Sequence, residues 1–242
     1  MKVQAHPMKA LALLSSLLLL SACWLARKPR VWEIDELAQR GGTLVALWDH
    51  DYESMYVKKQ TIVKLQEAHR QTAGGAELGT QLVIIPAEEP NGFAGLLEGK
   101  RVVGITTGMI RFVGEDMDQY AALLCHVAAH WLKGHIEWNS MRRGGLSVIE
   151  LAINQITKAP AGSMAAQAVE GYFNRDDERD ADSLSISCMK WNGYDPQGAV
   201  RFHEMMLKLS VSTKPAFLMT HPTSEERIEN LKRLIRSQSS QP

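Results

Sequence analysis

Between Tyr120 and Leu132 the chain is apolar on almost every side that a helix could present, in the run Tyr-Ala-Ala-Leu-Leu-Cys-His-Val-Ala-Ala-His-Trp-Leu. A helix with one apolar stripe lies on a surface, whereas one that is apolar all round has to be enclosed by other elements. The rest of the domain must therefore be built around these residues. Asp116, with Gln119 three positions on, is a variant of the capping box and predicts where this central helix starts. His126 and His130 stand inside the run four residues apart, so they project from one face with Cβ atoms about 5–6 Å apart.

Two imidazoles so placed can meet one zinc ion at roughly 2.0–2.1 Å each. A core helix can equally hold two hydrogen-bonded histidines, so spacing alone leaves both readings open. The acidic stretch Asp176-Asp177-Glu178-Arg179-Asp180-Ala181-Asp182 bears on the choice. Such charges can be a solvated face. Glu178 and Asp182 are also four apart, however, so one helix face can present Glu178 to a metal while Asp182 orients a ligand histidine from behind. Two histidines from one helix and a glutamate from another form the donor set of catalytic zinc peptidases, whose fourth position stays open. Cysteine offers no competing site, because the chain has only three and no C-x-x-C pair. Lys and Arg number 27 against 27 Asp and Glu, without a basic run, which argues against nucleic acid as a partner.

The remaining pattern predicts one α+β domain over residues 43–236, mainly helical with a small antiparallel or mixed sheet. Thr43 to about Thr72 reads as helical, with Leu44, Leu47, Tyr52, Met55, Ile62, Leu65 and His69 at spacings of three and four. Gln81–Ile85, Gly92–Leu97 and Arg101–Thr106 read as strands, and Glu98-Gly99 suits a tight turn. A second helical stretch runs from near Met164 to Gly193, placed as its C-terminal cap. Asp195-Pro196 opens a further helix. Thr223-Ser-Glu-Glu226 is a capping box for the last one, which ends near Arg236 and leaves 237–242 as a disordered polar tail.

The N-terminus reads as an address. Met8-Lys9 looks like a start in its own right, and Ala10 to Leu20 is small and apolar, too short to cross a bilayer that needs roughly 20 helical residues. A basic n-region, a short h-region and small residues before a cleavage point make residues 1–22 a signal peptide. The ending Leu20-Ser21-Ala22-Cys23 resembles the lipobox of bacterial lipoproteins, which implies that Cys23 carries lipid and that residues 23–42 are a stalk. Cys125 and Cys188 lie in apolar helical stretches, where buried free cysteine is common. A disulfide between them stays open, since an oxidising compartment permits one and connectivity is not readable from sequence.

Several motifs, in order, resemble the zinc metalloendopeptidase family of the CAAX prenyl protease and HtpX, the gluzincin metallopeptidase family 48. Asn91-Gly92-Phe93-Ala94 is similar to its Asn-Ala-Phe-Ala segment, and Ile105-Thr106-Thr107-Gly108-Met109 to its Thr-x-Gly-Leu/Met turn. Cys125-His126-Val127-Ala128-Ala129-His130 falls where the family has G-H-E-x-x-H, with His135 where it often has a further histidine. Glu178-Arg-Asp-Ala-Asp182 is similar to its E-x-x-A-D, Gly193-Tyr194-Asp195-Pro196 to its Gly-Tyr-Asp-Pro, and His221-Pro222 with Arg227 to its His-Pro and following Arg. The resemblance covers roughly Thr61 to Leu234. It implies one Zn2+ per chain on His126, His130 and Glu178, with Asp182 behind a histidine and His221 stabilising the oxyanion. It also implies that Asn91, Gly92, Phe93 and Ala94 form an edge that takes an extended polypeptide.

The departure is Val127, at the position of the family's general base. A valine can neither take nor pass a proton, and positioned acid–base catalysis contributes roughly 10²–10⁴-fold. Three readings follow: a zinc metalloendopeptidase with impaired hydrolysis, a catalytically inactive relative that binds peptides or regulates, and a structural lipoprotein with core histidines. Retention of His126, His130, Glu178, Asp182 and His221 argues against the third, because buried polar groups are costly without a role. The expected location is the bacterial envelope, lipid-anchored and facing the periplasm. Trp24 after the cysteine, in place of the Asp that favours inner-membrane retention in lipoproteins generally, points to the outer membrane.

Overall fold

A computed structural model describes residues 31–48, 54–73, 78–97, 99–136, 173–212, 217–218 and 221–239. Cys23, the signal segment and the stretch from Met164 to Tyr172 lie outside the described residues. The architecture is α+β, mainly helical with a small mixed sheet, as the pattern predicted. In chain order the elements are β1 (Trp32–Glu33), α1 (Ile34–Gln39), β2 (Leu44–Trp48), β3 (Ser54–Lys58), α2 (Lys59–Gln71), β4 (Gln81–Ile85), β5 (Gly92–Leu97), β6 (Lys100–Thr106), α3 (Thr107–Val113), α4 (Met117–Leu132), α5 (Arg175–Trp191), α6 (Gln197–Ser212) and α7 (Glu225–Ser239).

The central helix is α4. Leu123, Leu124, Val127, Ala128 and Trp131 join the main core with Ile62 and Leu65 of α2 and with Ile84, Val103 and Ile105 of the sheet. Its other side, Ala121, Ala122 and Cys125, packs on Ile186 and Met189 of α5, Val200 of α6 and Leu231 of α7. An all-round apolar helix is thus enclosed on both flanks. Asp116 caps it as expected, accepting from the backbone N–H groups of Asp118 and Gln119 at 3.1 and 3.2 Å.

The four-stranded sheet has the order β1-β4-β6-β5. β5 and β6 form an antiparallel hairpin, β6 runs parallel to β4, and β1 pairs antiparallel with β4. β5 is therefore an edge, and it lies beside α4: a Cβ added at Gly92 would meet the Leu123 side chain at 3.0 Å. Phe93 pairs with Gly104 across the hairpin, where any side chain on residue 104 would meet the Phe93 ring at 2.1 Å.

Several boundaries differ from the sequence expectation. Residues 43–72 are not one helix. β2 and β3 form an antiparallel pair in which Val45 stands opposite Val57 and both are buried, and among the described residues of this stretch only Lys59–Gln71 is helical. Alternation over five residues is too short to separate from mixed three-and-four spacing, and pairing with a neighbour decides it. The domain also begins before residue 43: Trp32, Ile34 and Leu37 of the expected stalk are buried in the main core, with Trp32 opposite Ile84. The second helical stretch does not run unbroken from Met164. α5 starts at Arg175, fixed by a capping box in which Asn174 and Asp177 exchange side-chain and backbone contacts. It ends at Trp191, before Gly193 as expected, with the Tyr194 N–H donating to the Met189 carbonyl at 2.9 Å. The last helix is capped by Ser224 rather than Thr223, and it continues to Ser239, past the expected end at Arg236. Cys125 and Cys188 are not free but joined in a disulfide.

Candidate metal centre

His126 and His130 face the same side of α4, with their Nε2 atoms 3.0 Å apart and ring centroids 4.7 Å apart. Glu178 comes from the first turn of α5, where the Asn174–Asp177 capping box holds the backbone. Its Oε2 lies 3.5 Å from His126 Nε2, and its Oε1 lies 3.3 Å from His130 Nε2. His221, just ahead of α7, completes the group: one donor atom from each of the four residues lies within 4.8 Å of every other. The His221 ring stacks on Phe217 at 4.7 Å with 9° between planes, and the His221 backbone N–H donates to the Phe217 carbonyl. All four side chains are buried.

These residues fit a small divalent cation. Donors on a tetrahedron of 2.0–2.1 Å radius are about 3.3–3.4 Å apart, close to the 3.0, 3.3 and 3.5 Å observed among His126, His130 and Glu178. Among the described residues neither Glu178 oxygen receives a well-directed hydrogen bond. Arg227 reaches Oε2, so the oxygen left for a second cation to answer is Oε1, beside His130 Nε2.

Asp182, one turn along α5 from Glu178, places Oδ1 3.2 Å from His126 Nδ1, near enough for attraction though off the line of a good hydrogen bond. Arg227 of α7 fixes this carboxylate in a fork: Nε donates to Oδ2 at 2.8 Å and Nη2 to Oδ1 at 2.7 Å. The same guanidinium donates through Nη1 to the Pro222 carbonyl at 2.8 Å and touches Glu178 Oε2. Burial opposes ionisation of Asp182 and Glu178, but the Arg227 charge outweighs it, aided by His126 beside both, and holds both carboxyls below their ordinary values. His130 is pushed down to about 3 and His221 well below its usual value, mainly by burial, so both rings are neutral near pH 7. His126 goes the other way: burial opposes its protonation, yet the Glu178 charge and contacts with Asp182 and Glu178 raise it.

The structure thus brings together His126, His130, Glu178, Asp182 and His221 from α4, α5 and the approach to α7. His221 stands among the possible metal donors themselves, a position its sequence did not reveal. The full role of Arg227 was also missed. A lone Arg after His-Pro gave no sign that it grips Asp182 and touches Glu178. Val127 is 1 % exposed and packs in the main apolar core. Of the expected peptide-binding residues, Gly92, Phe93 and Ala94 are buried, so what β5 offers is its backbone edge. Asn91 Oδ1 is an exception, a buried acceptor with no hydrogen-bond partner among the described residues.

A family model described as Peptidase family M48 matches residues 58–235. The metalloprotease YcaL of Escherichia coli strain K12 is 27% identical over 95 residues, covering 39% of this chain and 37% of that protein. The metalloprotease LoiP of the same strain is 21% identical over 140 residues, 53% of this chain and 56% of its own. Its β-barrel assembly-enhancing protease is 26% identical over 160 residues, 60% of this chain and 32% of that one. The chain thus spans between about a third and a little over half of the length of these curated relatives.

Proposed function

This chain belongs to peptidase family M48, and on that premise we propose that it is a zinc-binding, lipid-anchored protein of the bacterial envelope that faces the periplasm. In this reading it engages extended polypeptides and hydrolyses them poorly. The observation that carries it is the convergence of His126, His130 and Glu178 around a space of tetrahedral size, with Asp182 and Arg227 locked behind. Zinc held by these three residues would supply Lewis-acid polarisation of a peptide carbonyl and acidification of water.

The chain's own residues do the rest. Asp182 holds His126 so that Nε2 faces the centre, and Arg227 holds Asp182. His221, neutral and braced by Phe217, is placed to donate to a substrate oxygen as its charge grows. β5 is paired on one side only among the described residues, so an extended chain can add along its open edge. Among the described residues no proton acceptor stands free at the centre, since Val127 has none and both Glu178 and Asp182 are engaged by Arg227.

The burial of Val127 in the core favours a second reading, a peptide binder of the same fold without hydrolysis. One experiment decides between them. Casein cleavage by the zinc-loaded wild type is compared with Val127→Glu, for which a positioned base predicts a gain of roughly 10²–10⁴-fold. Slow, chelator-sensitive cleavage by wild type supports the peptidase; cleavage by the variant alone supports the binder. A folded, zinc-loaded variant that cleaves no faster than wild type overturns the role given to position 127. One relative is named for enhancing β-barrel assembly, which accords with substrates or ligands among envelope polypeptides.

A further inference from the structure

His126 has its orienting carboxylate in Asp182, whereas among the described residues the second histidine of the centre has no carboxylate directly behind it. His130 Nδ1 instead lies 3.0 Å from Nδ1 of His135. The other nitrogen of His135, Nε2, lies 3.5 Å from Oδ1 of Asp177, an electrostatic contact longer than a hydrogen bond. We infer that His135 and Asp177 form a chain that positions His130, doing through two residues what Asp182 does directly for His126. This rests on the metal reading proposed above.

The chain has a single consistent arrangement of protons. For His130 Nε2 to present a lone pair toward the centre, its proton must sit on Nδ1. That N–H faces His135 Nδ1, which must then be the acceptor, leaving the His135 proton on Nε2. The Nε2–H in turn faces the Asp177 carboxylate, the one partner in the row that only accepts. Each group thus fixes the tautomer of the next.

Both ends of the chain are built by local backbone devices. α4 stops at Leu132, and Gly134 takes a positive φ of 70° with its N–H donating to the Trp131 carbonyl at 3.0 Å. That left-handed step, which L side chains disfavour, turns His135 back against His130. Asp177 is held by the capping box of α5: its Oδ2 accepts from the Asn174 N–H at 3.1 Å, which leaves Oδ1 to face His135. Asp177 and Glu178 are consecutive, so one helix start places both a metal donor and the anchor of the opposite ligand. Phe173 stacks on the His130 ring at 3.6 Å and limits its rotation.

The test is zinc affinity, measured on the full-length protein by chelator competition with Zn2+. His130→Ala is expected to lose tight binding. His135→Phe keeps a flat ring but offers no acceptor, and should bind zinc about 10–100-fold more weakly. His135→Asn, whose Oδ1 can accept in place of the ring nitrogen, should return to within about threefold of wild type. A wild type without zinc affinity would overturn the metal reading. A zinc-binding wild type whose His135→Phe variant binds equally well would overturn this inference alone. Long-range 1H–15N NMR of the zinc-loaded wild type asks the same question without a substitution. Protons on His130 Nδ1 and His135 Nε2 are expected, and a proton on His135 Nδ1 would overturn the chain.

Discussion

The Cys125–Cys188 bond joins the helix that carries both histidines to the helix that carries Glu178, one residue ahead of His126 on the first. Replacing both cysteines with alanine removes that link and little else, because the flanking Ala121, Ala122, Ile186 and Met189 still pack. The cysteines are separated by 63 positions. In the chain-entropy treatment a closed loop of that length lowers the entropy of the unfolded chain by about 14 cal/mol/K, or about 4 kcal/mol at 25 °C. Against a total stability of about 5–15 kcal/mol for an ordinary domain this is a large share. In a chain of this size it corresponds to a fall in Tm on the order of 10 °C. Urea unfolding of the wild type and the double alanine variant, both without zinc, measures it. A loss below about 1 kcal/mol would refute the reasoning, and would show that packing alone keeps the two ligand helices in register.

Arg227→Met leaves Asp182 and Glu178 buried without their cation, and should cost about 3–5 kcal/mol in the zinc-free protein; a loss under 1 kcal/mol by urea unfolding would mean the two carboxylates find water instead. His69 and His203 are pushed down by burial to about 4 and about 3, so each is neutral in the fold while the unfolded chain takes up a proton below 6.5. Their stability contribution is complete above pH 6.5 and is lost as pH falls toward those values, at about 1.4 kcal/mol per pH unit for each ring. Denaturant titrations at pH 7.5, 5.5 and 4.5 check this, and a flat profile would contradict it. Cys23→Ser should move the protein from the membrane fraction to the soluble periplasmic fraction, and equal solubility of the two forms would remove the anchor.

The sequence by itself determined what near neighbours along the chain can determine. The enclosure of Tyr120–Leu132, the Asp116 cap, the Gly193 stop and three strands of the sheet all follow from periodicity and capping within a few residues. The pairing of His126 with His130, and of Glu178 with Asp182, is equally local, because four residues make one helical turn. Where the signal was short or shared, the tertiary structure decided. Leu44–Trp48 and Ser54–Lys58 became paired strands because Val45 and Val57 bury opposite each other, and Trp32, Ile34 and Leu37 joined the core once β1 paired with β4. The contacts that complete the centre span 45 residues from Asp182 to Arg227 and 101 from His126 to Arg227. No pattern in the intervening chain encodes such distances. They exist because α4, α5 and α7 pack around one core, and only that packing turns scattered polar residues into a set of converging donors.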